Sequence, residues 1–351
     1  MKRACLRALL LLALMLAAGV KLSAAPDTPV QARVSYTLPF ILTFSSGPIV
    51  QVMVNDKITG TFLVDTGSSA NIITDVMVAK LGLTPVPFVQ GKYPFLLDGK
   101  KAMMVTDLNL KIGQLTLQGS AYPVIDAKTL RASVGVSVDG IISMQALRYF
   151  AMDVDFSHNQ MILTFPGGLT ESEIKALGFS GACVVPLMPN IDGTAFDPAK
   201  EAASSDSYWR LVYSVPVQIS DGVHTIQQNS IVDTGAKETF FPAEISKSLK
   251  LDVNQVVENA QSIEGKDRSY NTVIAPRLGL GSIRLSHHTV NVYLKEGKSS
   301  SSLGLDVLGS YHILMDFEAK KMFLQPNSSM PVITIKAAPT VRHSVGGGTA
   351  R

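Results

Sequence analysis

Two aspartates stand in the same tripeptide on the same approach. Asp65-Thr66-Gly67 follows Thr61-Phe62-Leu63-Val64, and Asp233-Thr234-Gly235 follows Ser230-Ile231-Val232. A carboxylate at the end of a buried apolar strand is costly to hold there. If the two strand ends meet, the like charges cannot both ionise easily, and the pair holds one shared proton. Such a pair can bind a water, take a proton from it and donate one to a carbonyl oxygen. Gly67 and Gly235 let backbone approach closely. The Thr66 and Thr234 hydroxyls can bridge to the opposite loop and hold the pair rigid. The plainer reading of each tripeptide is an Asx-type turn at a strand end, but its duplication in a matching context argues against coincidence.

The elements around the two aspartates repeat as well. Leu81-Gly82-Leu83 and Leu249-Lys250-Leu251 are each centred 17 residues after their Asp, and Leu110-x-Ile112-Gly113 and Leu278-x-Leu280-Gly281 place a Gly 48 residues after it. The glycines of Asp98-Gly99-Lys100 and Glu264-Gly265-Lys266 lie at 34 and 32 residues, and Ile141-Ile142-Ser143 and Val307-Leu308-Gly309 end at 78 and 76. Asp155-Phe156 and Asp316-Phe317 follow, each Asp six residues before a Met, Met161 and Met322. This is a duplicated unit.

Val50 to Val54, Leu115 to Leu117 and Val215 to Ile219 alternate or run apolar between turn residues, the pattern of strands. Asp98-Gly99 between two apolar runs signals a hairpin. Short helices are expected over 74–81, over Gln145 to Phe150, after Pro242, and between Thr170-x-x-Glu173, a capping box, and Gly178. The fold class is all-β, with two pseudo-symmetric closed β-barrel lobes and a few short helices. The expected organisation is a first unit over 26–165, a connector over 166–207 without a counterpart elsewhere, a second unit over 208–330 and a disordered tail over 331–351. Within the connector, 192–207 reads as a polar loop.

The chain has 351 residues, 46% apolar and 17% charged, with a mean hydropathy of +0.24. That composition excludes a disordered chain. Residues 1–25 open with Lys2, Arg3 and Arg7, continue through the uncharged run Ala8 to Val20 and end on Ser23-Ala24-Ala25. This is the pattern of a signal peptide, which implies a periplasmic or secreted protein. Its loss changes the charge from 31 Lys+Arg against 28 Asp+Glu to 27 against 28, from +3 to about −1. No basic surface for nucleic acid remains, and no later run is long and apolar enough to cross a membrane. Cys5 leaves with the segment, so Cys183 stands without an internal disulfide partner and reads as a small buried hydrophobe.

Other motifs are weak. Ser172-x-x-Lys175 lacks the accompanying motifs of penicillin-recognising enzymes. His287-His288 reads as a solvated loop pair, since on a strand the two would point to opposite faces. Tyr208 and Trp209 read as packing. No zinc-binding His-Glu-x-x-His, Gly-x-Gly-x-x-Gly or P-loop is present, so no metal or cofactor is expected.

The ordered set Val64-Asp65-Thr66-Gly67-Ser68-Ser69, Leu81-Gly82-Leu83, Ile112-Gly113 and Asp139-Gly140-Ile141-Ile142-Ser143 resembles the retropepsin-like aspartic proteases, in the bacterial exported form with two tandem units. The second half contributes Val232-Asp233-Thr234-Gly235-Ala236, Gly281 and Val307-Leu308-Gly309. The resemblance covers roughly 45–165 and 210–325. It implies an aspartic endopeptidase with Asp65 and Asp233 as catalytic dyad, supported by Thr66, Gly67, Ser68, Thr234, Gly235 and Ala236. It further implies a water nucleophile, no metal, no covalent intermediate, a peptide or protein substrate and an acidic optimum. A hairpin flap covers the substrate in that family; the candidate tips here are Asp98-Gly99 and Glu264-Gly265. Pairing of the two units within one chain implies a monomer.

Three departures qualify the resemblance. Ser143 stands where the family has Gly and is expected to strain or shift the first half. The second half looks shorter, with 7 residues from Gly309 to Asp316 against 12 from Ser143 to Asp155, which implies a truncated helix. Ser68 faces Ala236 after the tripeptide, and a Ser68 hydroxyl bond to Asp65 would favour its ionised form and leave the proton on Asp233. The first two departures motivate the alternative, a catalytically inactive peptide-binding or scaffold protein on the same fold.

Overall fold

The computed structural model of the chain describes residues 32–43, 46–90, 93–94, 96–97, 100–119, 121–191, 194–195, 211–261, 267–294 and 300–327. In the first half the strands are β1 (Val34–Pro39), β2 (Ile41–Thr43), β3 (Ser46–Val54), β4 (Ile58–Asp65), β5 (Ile72–Thr74), β6 (Val86–Pro87), β7 (Val89–Gln90), β8 (Tyr93–Pro94), β9 (Leu96–Leu97) and β10 (Lys100–Lys101). They continue as β11 (Met103–Val105), β12 (Leu108–Ile112), β13 (Leu115–Gly119), β14 (Tyr122–Ile125), β15 (Gly140–Ser143), β16 (Ala151–Asp155) and β17 (Gln160–Phe165). The second half holds β18 (Cys183–Pro186), β19 (Met188–Ile191), β20 (Thr194–Ala195), β21 (Leu211–Ser220), β22 (Thr225–Val232), β23 (Phe240–Phe241), β24 (Asp252–Gln261), β25 (Asp267–Leu280), β26 (Ile283–Tyr293), β27 (Ser301–Leu303), β28 (Tyr311–Asp316) and β29 (Lys321–Pro326). The short helices are α1 (Asp75–Leu81), α2 (Ala127–Val134), α3 (Met144–Leu147), α4 (Glu171–Ala176), α5 (Ala243–Ser248) and α6 (Leu305–Leu308).

Each half is a lobe built on a sheet that closes on itself. In the second, β21 pairs β22, then β27, β23, β26 and β25 follow in order, and β25 returns to β21 at Val217↔Leu280. In the first, β3, β4, β15, β5, β14 and β11 follow the same path, and the next strand along the chain, β12, returns to β3. The interiors follow from strand periodicity: along β3, Val50, Val52 and Val54 are buried while Gln51 and Met53 face out. The hairpins β12–β13 and β25–β26 both turn at a left-handed glycine, Gly113 and Gly281 (φ 56° and 57°), as the repeat implies. α1 is capped at its start by Thr74, whose hydroxyl accepts the Met77 amide, and at its end by Gly82 in the left-handed region. α4 begins with the expected capping box of Thr170 and Glu173.

The lobes are joined by a six-stranded sheet in the order β1-β17-β16-β28-β29-β18. At its centre β16 and β28 run antiparallel, with Met152 opposite Met315 and Val154 opposite Ile313. These side chains are buried and merge the two cores. The sheet also changes the reading of 166–207. β18 pairs β29 as β1 pairs β17, and β19 pairs β21 as β2 pairs β3. Strand pairing of the second unit therefore starts at Cys183, within the expected connector. The β1 and β18 matches were not visible as a repeat because an edge strand is specified by its partner more than by its own sequence. Cys183 itself is half-buried; its sulfur meets the β25–β26 turn, accepting from the Ser282 amide at 3.3 Å.

Candidate active site

Two parallel strands deliver each aspartate. β4 ends on Asp65 and lies parallel to β15, with Asp65 opposite Ser143; β22 ends one residue before Asp233 and lies parallel to β27. The loop after each strand folds back on its own carboxylate. Asp65 Oδ1 accepts the amides of Gly67 (2.8 Å) and Ser68 (3.1 Å), and Asp233 Oδ1 accepts those of Gly235 (3.1 Å) and Ala236 (2.9 Å).

The two loops lock into each other through the threonines. Thr66 Oγ1 donates to the Val232 carbonyl (2.6 Å) and accepts the Thr234 amide (3.1 Å). Thr234 Oγ1 donates to the Val64 carbonyl (2.9 Å) and accepts the Thr66 amide (3.1 Å). Both threonines are 1% exposed or less, so these four bonds are made away from water, where losing them is expensive.

The grip brings the aspartates face to face. A Cβ placed on Gly67 would lie 2.3 Å from the Asp233 carboxyl carbon, and one on Gly235 would lie 2.5 Å from that of Asp65. Glycine at both positions is thus what lets each loop pass over the opposite carboxyl. Asp65 is 5% exposed and Asp233 half-buried. Burial, and next the facing Asp233 charge, push Asp65 well above the usual carboxylate range; burial likewise raises Asp233 against its two amide bonds. Two carboxyls this close titrate as a coupled pair rather than as independent groups.

The expected role of Ser68 is not seen. Ser68 reaches Asp65 with its backbone amide, the same contact that Ala236 makes to Asp233. A backbone amide is indifferent to the side chain, so the Ser/Ala difference leaves no asymmetry there.

A second layer supports each loop, and it corrects two expectations. Asn71 Oδ1 accepts both the amide (2.8 Å) and the hydroxyl (3.1 Å) of Ser143, and the Ser143 oxygen in turn accepts the Gln145 amide at the start of α3. The Gln145 side chain closes the circuit on the Asn71 amide (3.0 Å). Ser143 has ordinary extended backbone (φ −113°, ψ −176°), so it caps a helix without strain. In the second lobe Thr239 Oγ1 accepts the Gly304 amide (3.1 Å) and donates to Asp306 (2.7 Å). The counterpart of Ser143 is therefore Gly304; Val307-Leu308-Gly309 belongs to α6 and its end. Gly304 to Asp316 spans the same 12 residues as Ser143 to Asp155, and α6 matches α3 in length. The second lobe is shorter earlier: Tyr293 to Ser301 takes eight residues where Ile125 to Gly140 takes 15 and fits α2.

Asn71, Gln145, Thr239 and Asp306 were missed as site residues. Asn71 and Thr239 stand at the same distance, six residues, from their aspartates, and that equal spacing was the available signal.

The candidate flap tips Asp98, Gly99, Glu264 and Gly265 lie outside the described residues. Their flanks pair as hairpins, β9 with β10 and β24 with β25. Tyr208, Trp209 and residues 331–351 also lie outside them. His287 and His288 sit in β26, not in a loop, and His288 Nε2 lies 3.4 Å from Asp306. Among the described residues no group of three His, Cys, Asp or Glu converges as a metal site, and no helix is long and apolar enough to cross a membrane.

A family model described as "Aspartyl protease" matches residues 50–146 and 215–307, together more than half of the chain. Among solved structures, an aspartic proteinase from Irpex lacteus aligns over 84% of this chain and 98% of its own, with 15% identity and a TM-score of 0.42. No curated protein matches the chain.

Proposed function

The chain belongs to the aspartyl protease family, and we propose that it is a retropepsin-like aspartic endopeptidase in which Asp65 and Asp233 form one intrachain catalytic dyad. The observation that carries this reading is the reciprocal placement of each carboxyl against the opposite glycine, with both acids raised above their ordinary range.

The chemistry follows from one shared proton. The ionised member takes a proton from a water held between the carboxyls, and that oxygen adds to the peptide carbonyl carbon while the protonated member donates to the carbonyl oxygen. The protonated member then donates to the nitrogen of the resulting diol while the ionised member takes the proton of one diol hydroxyl, and the C–N bond breaks. Acid and amine leave, and the pair again holds one proton. The threonine grip fixes both carboxyls before substrate arrives, so little reorganisation is needed at the barrier. The hairpins flanking 98–99 and 262–266 cover a peptide bound extended between the lobes. Residues 1–25 support export to the periplasm or beyond, and removal of that segment.

The rival reading, a peptide-binding scaffold without turnover, draws on Ser143 and on a shortened second unit. Ser143 caps α3, and the second lobe keeps its full spacing behind Gly304, so both motives weaken. Hydrolysis in ¹⁸O-labelled water tests the proposal. One label should enter each new carboxyl terminus, and added amine nucleophiles should trap no acyl product. Trapped acyl-enzyme, or no hydrolysis of any peptide at acid pH, would overturn it.

A further inference from the structure

A cavity of about 510 Å³ spans the two lobes beside the second active-site loop. Its lining includes the apolar Leu305, the buried Leu42 and Phe156 behind it, and the acidic Glu238 and Glu258. This size suits a side chain or a small ligand.

The cavity is tied to the dyad through the chain. Lys237 and Glu238 directly follow Ala236, whose amide holds Asp233. The Leu305 amide donates to the Ala236 carbonyl (2.9 Å) and that of Asp306 to the Lys237 carbonyl (3.0 Å). From the other lobe, Ser46 lines the cavity while its neighbour Gly47 packs so closely that a Cβ there would lie 1.8 Å from the Thr234 carbonyl oxygen. A chain occupying the cleft over the dyad thus passes within a few residues of this opening.

Its charges are uneven. Glu238 accepts from the Asn291 amide group (2.6 Å), and Glu258 accepts from the Tyr270 hydroxyl (3.1 Å) and Thr272 (3.5 Å). These donors are neutral and supply no countercharge. The negative field is felt next door: burial, the Glu258 hydrogen bond and the charges of Glu238 and Glu258 push the Tyr270 hydroxyl up to about 12. Asp306 is committed to Thr239, its own helix and His288. Lys237 meets Glu238 at 3.5 Å from the rim, with 58% of its side chain exposed, and can swing into water at little cost.

We infer that this cavity is a specificity subsite for a basic side chain of the substrate, Lys or Arg, held by Glu238 and Glu258. The aliphatic stem lies against Leu305 and the edge of Leu42, and the cationic head meets the carboxylates. A neutral or acidic side chain would leave Glu258 with neutral partners alone and Glu238 with only the rim Lys237 as countercharge. The inference rests on the endopeptidase reading and names its substrate class: peptides with a basic residue at one fixed position near the cut.

A positional-scanning set of eight-residue peptides, with Lys, Arg, norleucine or Glu at each position, tests it on the full protein. At one position Lys or Arg should exceed norleucine by about 10- to 100-fold in kcat/KM, the worth of a charge-assisted hydrogen bond. In Glu238→Gln/Glu258→Gln that ratio should fall to near one, and Glu258→Lys should turn it toward Glu. Cleavage without a basic preference, or a preference that survives the double variant, overturns the subsite. If no peptide is cleaved, the endopeptidase reading falls instead, and anisotropy of the fluorescein-labelled peptides on the same protein decides the subsite. Lys peptides binding tenfold tighter than norleucine peptides, with the difference lost in the double variant, would uphold it; equal binding would overturn it.

Discussion

Replacing Thr66 with Val tests the grip on which the dyad geometry depends. Val keeps the shape of Thr and removes the hydroxyl. The Val232 carbonyl then loses the donor at 2.6 Å, and the Thr234 amide loses the acceptor at 3.1 Å. Both lie where the side chains are 1% exposed or less, so water does not easily take their place. At about 1–3 kcal/mol for each stranded group, the variant should lose about 2–6 kcal/mol of unfolding free energy. Much of a typical domain stability of about 5–15 kcal/mol is involved, yet at the lower figure the chain still folds. A displacement of the carboxyls by about 1 Å would cost on the order of 100-fold in kcat. Urea unfolding gives the first quantity and peptide hydrolysis the second. Thr66→Ser keeps the hydroxyl and loses one methyl, about 1 kcal/mol, so it should restore most of both. Stability of Thr66→Val within about 0.5 kcal/mol of wild type, or Thr66→Ser as damaged as Thr66→Val, would refute the reasoning.

Three further outcomes follow. Gly304→Ala should destabilise the second lobe and depress kcat, because the new methyl would lie 2.5 Å from the Glu238 carbonyl group; a variant of wild-type melting temperature would contradict the tight packing. Asp65 and Asp233 have folded pKa values raised above the ordinary 3.8. Their contribution to stability is thus present below about pH 4 and lost as pH rises through the raised values. Asp65→Asn should therefore melt higher than wild type at pH 7, with the gap closing toward pH 3. In the joining sheet, burial opposes the charge of His312, but the facing Asp153 carboxyl outweighs it and raises the His312 pKa. That contribution is present below pH 6.5 and lost as pH rises through the folded value. Urea midpoints from pH 5.5 to 8.5 should show this loss in wild type and lack it in Asp153→Asn.

Much of the fold was legible because the duplication is written in the residues that turn or bury chain. Gly113 and Gly281 mark the same hairpin, Thr74 and Pro242 open the same helix, and the tripeptides sit on the same strand. The error at Val307-Leu308-Gly309 has a physical source. Its apolar-apolar-Gly pattern imitates a strand, yet Val307 and Leu308 are buried by a helix. The true strand, Ser301-Ser302-Leu303, looks polar. Ser301 is buried all the same because its hydroxyl meets that of Ser230 at 2.6 Å and donates to the Phe240 carbonyl. A buried polar residue reads as exposed until its partner is known. β18 and β19 escaped for a related reason: their partners, β29 and β21, supply the pairing that the local sequence only permits. At the site, the tripeptide threonines were legible because they adjoin the aspartates. Asn71, Gln145, Thr239 and Asp306 act through bonds made across the sheet.

The central claim is that two carboxyls, one from each lobe, share one proton and do the chemistry together. Peptide hydrolysis at acid pH by wild type, Asp65→Asn and Asp233→Asn measures it most directly, with circular dichroism to confirm that each variant folds. Loss of at least about 1000-fold in kcat in both variants is the predicted result, since each lacks one half of the proton relay. Either folded variant keeping a tenth or more of wild-type activity would contradict the account.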